Sequence, residues 1–564
     1  MSRRFVSQTL RSAQRRGIAA VRQLGARAYL VIALLFSVLI VGDFGLLGLL
    51  SAAETRLFDT LVSHRIVVPR ADPDIVIIDI DEASLAAMAG KQGRWPWPNR
   101  VLGELVTGLE AQNPRAIVFD ILFSDRDVQR AESDLAFNAV IAQSRSTFFP
   151  MLRLAPHNDK LSRIPVGALP GVQATDPAAD ANAPIAIILP KVPAAIDNGR
   201  LGTHQVNPDK DGVIRRYPAW ITHAGWRIPS LPQRLAQEFK FPGVDQNEVL
   251  LNWRGPPFSY HYVPFFEVYN DLTSAKPQRS SNEFVGKIIV IGSTAPSLFD
   301  VKGTPMARIH PGVEILATAI DNFKNGDALR ERPAWVMVSA ALLLIWSMAI
   351  ALFRQIRIDV FDTVFGVLQV TLVAGAFAVL DLSHWYLDTS APLSLGLMYF
   401  TVVRLYYGVS RKWLANSQAL DLSQLAKGTR LLGVLAIRLD NAKPAEKRRI
   451  TADLDQLVAN STLGAGRITH LIEDPGFVQR VFSDVMLVYW LLEDTQADWE
   501  ADALQLETAL GKMRSQLLRS GRLRFSRRSS TIQWNTPNGW TSTSLDTILS
   551  AILGVTNEKS GDRP

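Results

Sequence analysis

Acidic side chains stand near the ends of two apolar runs in the first half of the chain. Asp79 and Asp81 close one run, and Asp120 lies near the end of the next. If these runs are parallel strands, their carboxyl ends share the sheet edge where open α/β folds bind ligands. Ser293 and Thr294 follow a third run and offer hydroxyl and backbone N–H groups. These five residues predict a pocket for a small polar or cationic ligand; alternatively, Asp79 and Asp120 cap neighbouring turns.

Residue content disfavours several other chemistries. The chain has no Cys, which excludes disulfides, thiolate nucleophiles and Cys-ligated zinc. Its eight His are scattered, with no pair at helical ligand spacing, so we expect no zinc site. The turn at 209–212 (Asp-Lys-Asp-Gly) resembles part of a calcium loop but lacks the further acids of a complete one. We therefore expect no metal and no cofactor.

The elements that must position these residues alternate between strands and helices. Nearly continuous apolar runs predict strands at 74–80, 116–122, 148–152, 184–189 and 287–291. Helical periodicity predicts helices at 100–112, 134–144 and 311–325. Apolar strands separated by helices predict a mostly parallel sheet that is covered on both faces. The turn at 95–98 (Trp-Pro-Trp-Pro) is stiff, and its tryptophans either pack on the sheet or contact a ligand.

Apolar stretches divide the chain unevenly. They predict transmembrane helices at 28–53, 333–353, 360–381 and 388–408, since about 20 apolar helical residues cross a bilayer. Asp43 interrupts the first stretch, and we place it near the outer interface or against a neighbouring helix. This stretch is longer than a signal-peptide core, which favours an uncleaved anchor over a signal cleaved after small residues at 51–53.

The distribution of positive charge predicts the orientation in the membrane. The net charge of +7 equals the seven Arg of the basic tail 1–27, so the remainder is neutral and we expect no nucleic-acid partner. Basic residues flank membrane helices on the cytoplasmic side. Arg and Lys also lie between the second and third stretches and after the fourth, whereas the loop 381–388 has none. Both termini are therefore predicted in the cytoplasm and residues 54–332 in the periplasm.

Motifs within 54–332 resemble the CHASE sensor family of type two, whose members are extracellular sensory domains associated with cyclases and histidine kinases. In chain order they are IVIIDIDEASL (75–85), GRWPWPNR (93–100), PRAIVFDILFSDRD (114–127), HQVNPDKDGVIRRYP (204–218), NWRGPP (252–257), VGKIIVIGSTA (285–295), KGTPM (302–306) and HPGVEILATAIDNF (310–323). The resemblance implies an α/β sensor of an unknown periplasmic cue. It also implies one transmembrane helix before the sensor and three after it, as the apolar stretches predict.

Beyond the last apolar stretch we expect a linker helix (409–430), a domain (431–555) and a disordered tail (556–564). The domain's predicted order of strand, helix, strand or strand pair, and helix is similar to nucleotide cyclases and to diguanylate cyclases of the GGDEF family. That resemblance implies an α+β, ferredoxin-like fold. Five Arg between 519 and 528 follow the second helix, and we expect a solvated face or a surface against anionic headgroups.

Departures from the cyclase pattern predict an inactive domain. Such enzymes hold two divalent metals between an acid on the first strand and an acid in the following hairpin. Here Arg438 aligns with the first acid, and Asp440 lies two residues on, on the same face of the strand. The glycine pair becomes Phe482-Ser483, and of the hairpin acids only Asp484 remains. We treat Arg438, Asp440 and Asp484 as degenerate metal positions and assign no catalytic residue.

Together these features predict a multidomain membrane protein with an α/β periplasmic sensor domain, four transmembrane helices and a degenerate cyclase-like cytoplasmic domain. We expect a homodimeric bacterial inner-membrane receptor that is not an enzyme and that acts through a cytoplasmic protein partner or ligand binding. Two alternatives stay open. One is an active adenylate or diguanylate cyclase that uses Asp440 and Asp484. The other is a membrane-anchored structural or assembly factor.

Overall fold

The computed structural model describes residues 27–43, 48, 50–128, 130–354, 356, 358–418, 428–440, 444–468, 485–493, 498–517, 522–534 and 542–557. The chain forms two compact units, and each is considered by itself. The large unit is Ala33–Tyr399, and the small unit is Met1–Ile32 together with Phe400–Pro564. The predicted basic tail, apart from Arg27, and residues 558–564 of the predicted disordered tail lie outside the described residues.

Within the described residues the α-helices are α1 (Arg27–Gly42), α2 (Ser51–Ser63), α3 (Glu82–Gln92), α4 (Asn99–Glu110), α5 (Ala131–Gln143), α6 (Pro193–Asp197), α7 (Leu231–Phe239), α8 (Phe265–Leu272), α9 (Gly312–Asn325), α10 (Ala334–Phe353), α11 (Ile358–Leu382), α12 (Ser390–Gln418), α13 (Pro444–Ala459), α14 (Trp499–Leu517) and α15 (Ser542–Asn557). The strands are β1 (Ile75–Asp79), β2 (Ala116–Phe119), β3 (Thr147–Arg153), β4 (Gln173–Ala174), β5 (Ile187–Ile188), β6 (Leu201–Thr203), β7 (Arg216–Pro218), β8 (Trp220–His223), β9 (Trp226–Pro229), β10 (Glu248–Leu250), β11 (His261–Pro264), β12 (Ile288–Gly292), β13 (Val301–Lys302), β14 (His310–Pro311), β15 (Arg330–Glu331), β16 (Trp385–Tyr386), β17 (Gly428–Asp440), β18 (Gly466–Ile468), β19 (Val485–Leu492) and β20 (Arg522–Trp534).

A mostly parallel sheet forms the centre of the large unit, as the apolar runs predict. Its strands follow the order β11-β1-β12-β2-β3, with every neighbouring pair parallel. At one end, β6 extends β3 in parallel, while β5 pairs with β3 in the antiparallel direction. Every residue of β1, β2 and β12 is buried. These β-branched runs therefore lie in the middle of the sheet, where both faces are covered.

The two faces of this sheet carry separate apolar cores. Side chains alternate along β1, so that Ile75 and Ile77 contact one core while Val76 and Ile78 contact the other. Helices α2, α7 and α9 cover the first face, and α4, α5 and α8 cover the second. Burying each such aliphatic side chain stabilises the fold by about 1.5–3 kcal/mol. This layered arrangement is what brings the carboxyl ends of the central strands to one edge.

The predicted first transmembrane helix, 28–53, is not one continuous helix. Helix α1 ends at Gly42, and α2 begins at Ser51. The Asp43 carboxylate accepts a hydrogen bond from the Leu50 N–H at 3.3 Å, and its carbonyl accepts one from the Gly48 N–H at 3.1 Å. A short polar side chain that binds backbone N–H groups competes with the helical ladder. Asp43 therefore lies at a break between α1 and α2. The prediction placed it near the outer interface or against a neighbouring helix and did not include this break.

Helices α10 and α11 are long and apolar enough to cross a membrane, with mean hydropathy of 2.4 and 2.1. In the described part of the chain they are the two that meet both criteria. The predicted fourth span, 388–408, corresponds to the first part of α12, which begins at Ser390 and continues to Gln418. The prediction of a separate linker helix at 409–430 is wrong because 409–418 extend α12 and 428–430 begin β17.

The small unit contains an antiparallel four-stranded sheet with the order β18-β19-β17-β20. With α13 after β17 and α14 after β19, the chain follows the βαββαβ order of ferredoxin-like domains. Helices α13 and α14 pack on one face through residues such as Leu454 and Ala503, and α15 packs on the other through Ile548 and Ile552. Because this fold hosts many unrelated activities, it does not identify a cyclase.

The Arg-rich segment 519–528 follows α14, as predicted, but its described part forms a strand that the sequence did not predict. Apart from Arg519, which lies outside the described residues, its arginines belong to β20. Leu523 and Phe525 pack against the core under α13 and α14, which explains why a charged segment forms a strand. Arg527 Nε lies 2.7 Å from Glu507 Oε1 of α14, so one guanidinium of the run is paired with a largely buried acid.

Gly433 offers a test of this packing. A Cβ at Gly433 would lie 2.5 Å from ring atoms of the buried Trp499, so Gly433→Ala must displace that ring at a cost of about 1–3 kcal/mol. Gly511→Ala is the matched control, since nothing lies within 4 Å and alanine favours the helix by up to about 1 kcal/mol. Urea-dependent proteolysis of the intact protein, followed through a C-terminal tag, measures both. An unchanged midpoint for Gly433→Ala would contradict the packing of Trp499 on β17.

Candidate functional site

The five candidate ligand residues meet at one edge of the parallel sheet. In the pairing of β1 with β12, Asp79 lies opposite Gly292, and Ser293 and Thr294 follow directly. In the pairing of β12 with β2, Ile291 lies opposite Phe119, so Asp120 comes next to Gly292. The three strands are adjacent, and their carboxyl ends bring these side chains together. The structure thus brings the predicted residues together at one edge of the sheet, as expected.

Most of these candidates bind to one another or to the backbone. The Asp79 carboxylate accepts hydrogen bonds from the Thr294 N–H (2.9 Å) and hydroxyl (2.6 Å). Ser293 donates its hydroxyl proton to the carbonyl of Ile80 at 2.7 Å. Asp81 accepts from the N–H of Ser84 at 2.7 Å and caps the start of α3. These contacts join β1, β12 and α3. The capping alternative, which named Asp79 and Asp120, thus describes Asp79, whereas Asp81 is a cap that it did not name.

Asp120 differs from the other candidates. Its side chain is 7% exposed, and Nε2 of His204 lies 3.6 Å from its Oδ1. Burial, and to a lesser extent Asp300, raises the pKa of Asp120 well above its ordinary value, while Lys302 lowers it. Burial lowers the pKa of His204, so this imidazole is held neutral beside the carboxyl group. His204, Asp300 and Lys302 were not among the predicted residues, although His204 and Lys302 stand in the CHASE-like motifs.

The pKa of Asp79 is also raised, from 3.8 to about 6. Burial is the largest cause, and the nearby charge of Asp81 adds to it, whereas the hydrogen bonds from Thr294 oppose it. The carboxylate is therefore partly protonated in mildly acidic solution. Within the described residues no group of three His, Cys, Asp or Glu side chains could hold a metal ion.

Two other predicted features have structural roles. Trp97 is 3% exposed and lies between Trp95 and Phe265, with ring centroids 4.9 and 4.8 Å away. The packing alternative is the one observed for this turn. In the segment 209–212, Asp209 and Asp211 both bind Arg215 at 2.7 Å, so their carboxylates are not arranged as a calcium loop.

Helix α9 carries a buried polar face that sequence reasoning passed over. Asp321 binds Arg254 at 2.5 Å, and Asn322 accepts a hydrogen bond from the N–H of Asn252 at 2.8 Å. Glu314 accepts from the N–H groups of Phe258 (2.7 Å) and Ser259 (2.8 Å). These contacts hold the NWRGPP segment against α9. The motif therefore positions a loop rather than presenting free side chains.

Two ionic joints connect the part of the large unit from Arg65 to Glu331, here called the sheet domain, to α2 and to α11. Arg215, 2% exposed, lies between Asp209, Asp211 and Asp59, and Asp59 belongs to α2. Burial lowers the pKa of Arg215, but the hydrogen bonds to the three carboxylates outweigh it and raise the pKa. Arg65 Nε lies 3.3 Å from Asp381 Oδ1 at the end of α11, and its Nη2 donates to the carbonyl of Leu380.

A parallel ladder and two pockets lie in the same region. Strand β15, just before α10, pairs with β16, which lies between α11 and α12. One pocket of about 440 Å³, here called the base pocket, is lined by residues that include Glu54, Phe58, Asp209, Arg216, Glu331 and Tyr386. Another, of about 530 Å³, is lined by residues that include Arg65, Asp327, Asp381 and His384. Sequence reasoning did not find either pocket, because the lining comes from segments far apart in the chain.

The degenerate metal positions of the small unit are occupied by ion pairs. Arg438 Nε lies 3.1 Å from Asp440 Oδ1, and Arg524 Nε lies 2.7 Å from Asp440 Oδ2. A divalent cation at Asp440 would have to displace two guanidinium groups. Arg524 was not predicted as a partner because β20 was not recognised as a strand. Asp484 lies outside the described residues.

Comparison with known proteins gives one family. The model of the CHASE2 domain matches residues 30–353, which is more than half of the chain. The matched range covers the parallel sheet, the joint between Arg215 and Asp59, and α10, whereas Asp381 of the other joint lies beyond it. No family-model match shows the predicted cyclase-like domain at 431–555. No curated protein and no solved structure matches the chain.

Asp79 makes the stability of the large unit depend on pH. Since its pKa is raised in the folded state, the folded protein holds the proton more tightly than the unfolded chain between 3.8 and about 6. The free energy of unfolding therefore falls as pH rises through this window, by up to about 3 kcal/mol from this group. Asp79→Asn keeps a side chain that can bond Thr294 and removes this loss.

Urea unfolding of the detergent-solubilised protein between about pH 4 and pH 7 measures this difference. The control is Asp197→Asn, which removes the same charge from the exposed end of α6. The slope of stability against pH should change for Asp79→Asn and not for the control. Identical slopes for wild type and Asp79→Asn would contradict a raised pKa at this edge.

Proposed function

Because the chain belongs to the CHASE2 domain family, we propose that it is a receptor of the bacterial inner membrane whose large unit senses a periplasmic cue. A CHASE2 sensor domain and two helices that are long and apolar enough to cross a membrane fit a membrane-bound sensory role. In the proposal the membrane helices carry the signal to the small unit in the cytoplasm. The receptor is a homodimer and acts through a cytoplasmic protein partner or through ligand binding.

The observation that carries the proposal is the pair of ionic joints at the base of the sheet domain. Asp59 of α2 is bonded to Arg215, and Asp381 of α11 is bonded to Arg65. The side chains of Arg65 and Asp381 are only 4% and 6% exposed, so this pair is screened little by salt. A change in the sheet domain would therefore move α2 and α11 rather than be absorbed by a loose linker.

The orientation follows from charge and from the positions of the apolar segments. The basic tail 1–27 and the Arg residues at 354 and 357 flank apolar helices on the side that the positive-inside rule assigns to the cytoplasm. The loop 381–388 has no Lys or Arg and contains β16, which pairs with β15 of the sheet domain. This pairing supports a single side of the membrane for that loop and the sheet domain.

Reporter fusions test the topology. An alkaline phosphatase fused after Lys160 should be active because that enzyme matures in the periplasm, and one fused after Asn460 should be inactive. A fluorescent protein that matures in the cytoplasm should give the opposite pattern at the two sites. The paired reporters serve as controls for expression. Activity of the same reporter at both sites would rule out a receptor that spans the membrane.

The small unit is proposed to transmit without catalysis. Both carboxylate oxygens of Asp440 lie beside guanidinium groups, and Arg438 occupies the position of a metal-binding acid. Because two guanidinium groups already neutralise Asp440, a divalent metal would gain little electrostatic stabilisation there. This supports a docking or binding role for the ferredoxin-like domain over nucleotide cyclisation.

An assay of membranes that contain the protein tests this part of the proposal. Incubation with ATP or GTP and Mg²⁺ or Mn²⁺ should give no cyclic AMP, cyclic GMP or cyclic di-GMP above empty membranes, since Asp440 is already paired with Arg438 and Arg524. Mass spectrometry of the nucleotide fraction provides the measurement, and an active cyclase expressed in parallel provides the positive control. Cyclic product that Asp484→Ala abolishes would establish the divergent cyclase instead.

A further inference from the structure

Tyr386 presents a buried hydroxyl to the base pocket. The residue is 3% exposed, and its ring packs edge-on against Phe58 of α2 with centroids 5.1 Å apart. Its hydroxyl group has no hydrogen-bond partner among the described residues. Buried polar atoms in native proteins are nearly always bonded to protein or water. A buried hydroxyl group that lines a pocket and has no partner therefore indicates a group that a bound ligand contacts by a hydrogen bond.

Glu54 faces the same pocket with a free carboxylate. It lies in the first turn of α2 and is half-buried, and no described residue forms a hydrogen bond or ion pair with its side chain. Burial raises its pKa most, followed by the negative charges of Asp388 and Glu331, while Arg216 opposes them. The same acids surround Tyr386, where burial, Asp388, Glu54 and Glu331 all disfavour ionisation of the hydroxyl group.

The cations that line the pocket do not neutralise Glu54. Arg215 is already shared by three carboxylates, and Arg216 Nη2 lies 2.6 Å from Glu331. Arg56 and Lys210 are exposed to solvent. The pocket thus offers one unpaired carboxylate and one unpaired hydroxyl oxygen, both of them acceptors. A bound cation with N–H donors would satisfy both groups, whereas a bound anion would be repelled by the acidic side chains that line the pocket.

We propose that the base pocket binds a small organic amine, whose ammonium group donates hydrogen bonds to the Glu54 carboxylate and the Tyr386 hydroxyl. A volume of about 440 Å³ lies within the range of about 300–1,000 Å³ that small-molecule sites occupy. The ligand joins α2 to β16, and hence the segment after α1 to the segment before α12. The idea that this amine is the cue rests on the proposed receptor function. The binding of the amine to the base pocket does not depend on that function.

Calorimetric titration of the full-length protein in detergent, at constant ionic strength, tests the site with 1,4-diaminobutane. We expect saturable binding with a Kd of about 1 mM or tighter. The neutral 1,4-butanediol and the anionic succinate have the same chain length and should not bind. Glu54→Gln should weaken diamine binding by about 10- to 100-fold, because a charge-assisted hydrogen bond is lost.

Tyr386→Phe separates binding from folding. The variant keeps the ring against Phe58 and removes a hydroxyl that has no partner in the unliganded protein, so its thermal stability should not fall. Its diamine affinity should drop by about 2- to 10-fold. Glu132→Gln, an equal change of charge at an exposed position of α5, is the matched control and should bind as wild type does.

The source of the amine is distinguished by repeating the titration in lipid nanodiscs. Inhibition of diamine binding by phosphatidylethanolamine, but not by phosphatidylglycerol, would identify a lipid headgroup as the occupant; binding in both would identify a soluble amine. The absence of saturable diamine binding, equal binding of the diol, or wild-type affinity in both Glu54→Gln and Tyr386→Phe would overturn the site. None of these results bears on the reporter fusions, which test the receptor independently.

Discussion

A single buried guanidinium holds the base of the large unit together. Arg215 is 2% exposed and shared by Asp59, Asp209 and Asp211, three carboxylates from two distant segments. Removing one partner from a buried ionic group typically costs about 3–5 kcal/mol, because the remaining charge stays desolvated. The position of α2 on the sheet domain depends on this cluster because Asp59 belongs to α2, and so does the wall of the base pocket that Asp209, Asp211 and Arg215 form.

The acidic residues discussed above differ in whether a neighbouring group already bonds or neutralises the carboxylate. At the carboxyl edge, Asp79 and Asp81 bind Thr294 and the start of α3, so they stabilise the fold. In the small unit, Asp440 lies between two arginines, which neutralise its charge. Glu54 has no such partner among the described residues. It is therefore the acid that is available to a ligand, although it is neither a strand-end residue nor part of a cyclase motif.

The sequence predicts best what depends on local pattern. Buried β-branched runs such as Ile75–Asp79 and Ile288–Gly292 indicated the parallel sheet, and the strand-end rule brought Asp79 and Asp120 to one edge. The break after Gly42 was missed because it depends on the Asp43 carboxylate bonding a backbone N–H seven residues away. Strand β20 was missed because its arginines mask an alternation with Leu523 and Phe525. The base pocket joins residues 54, 216, 331 and 386, and no local pattern connects them.

The short ladder between β15 and β16 bears on where one structural module ends and the next begins. Two residues on each side pair in parallel, and Ala376 and Leu380 of α11 complete the apolar core that α2 and α9 share. A soluble fragment cut at the start of α10 would lose this ladder and expose part of that core to water. The sensor therefore shares its core with the helix hairpin behind it, and the boundary of the folded piece lies after β16 rather than at the start of α10.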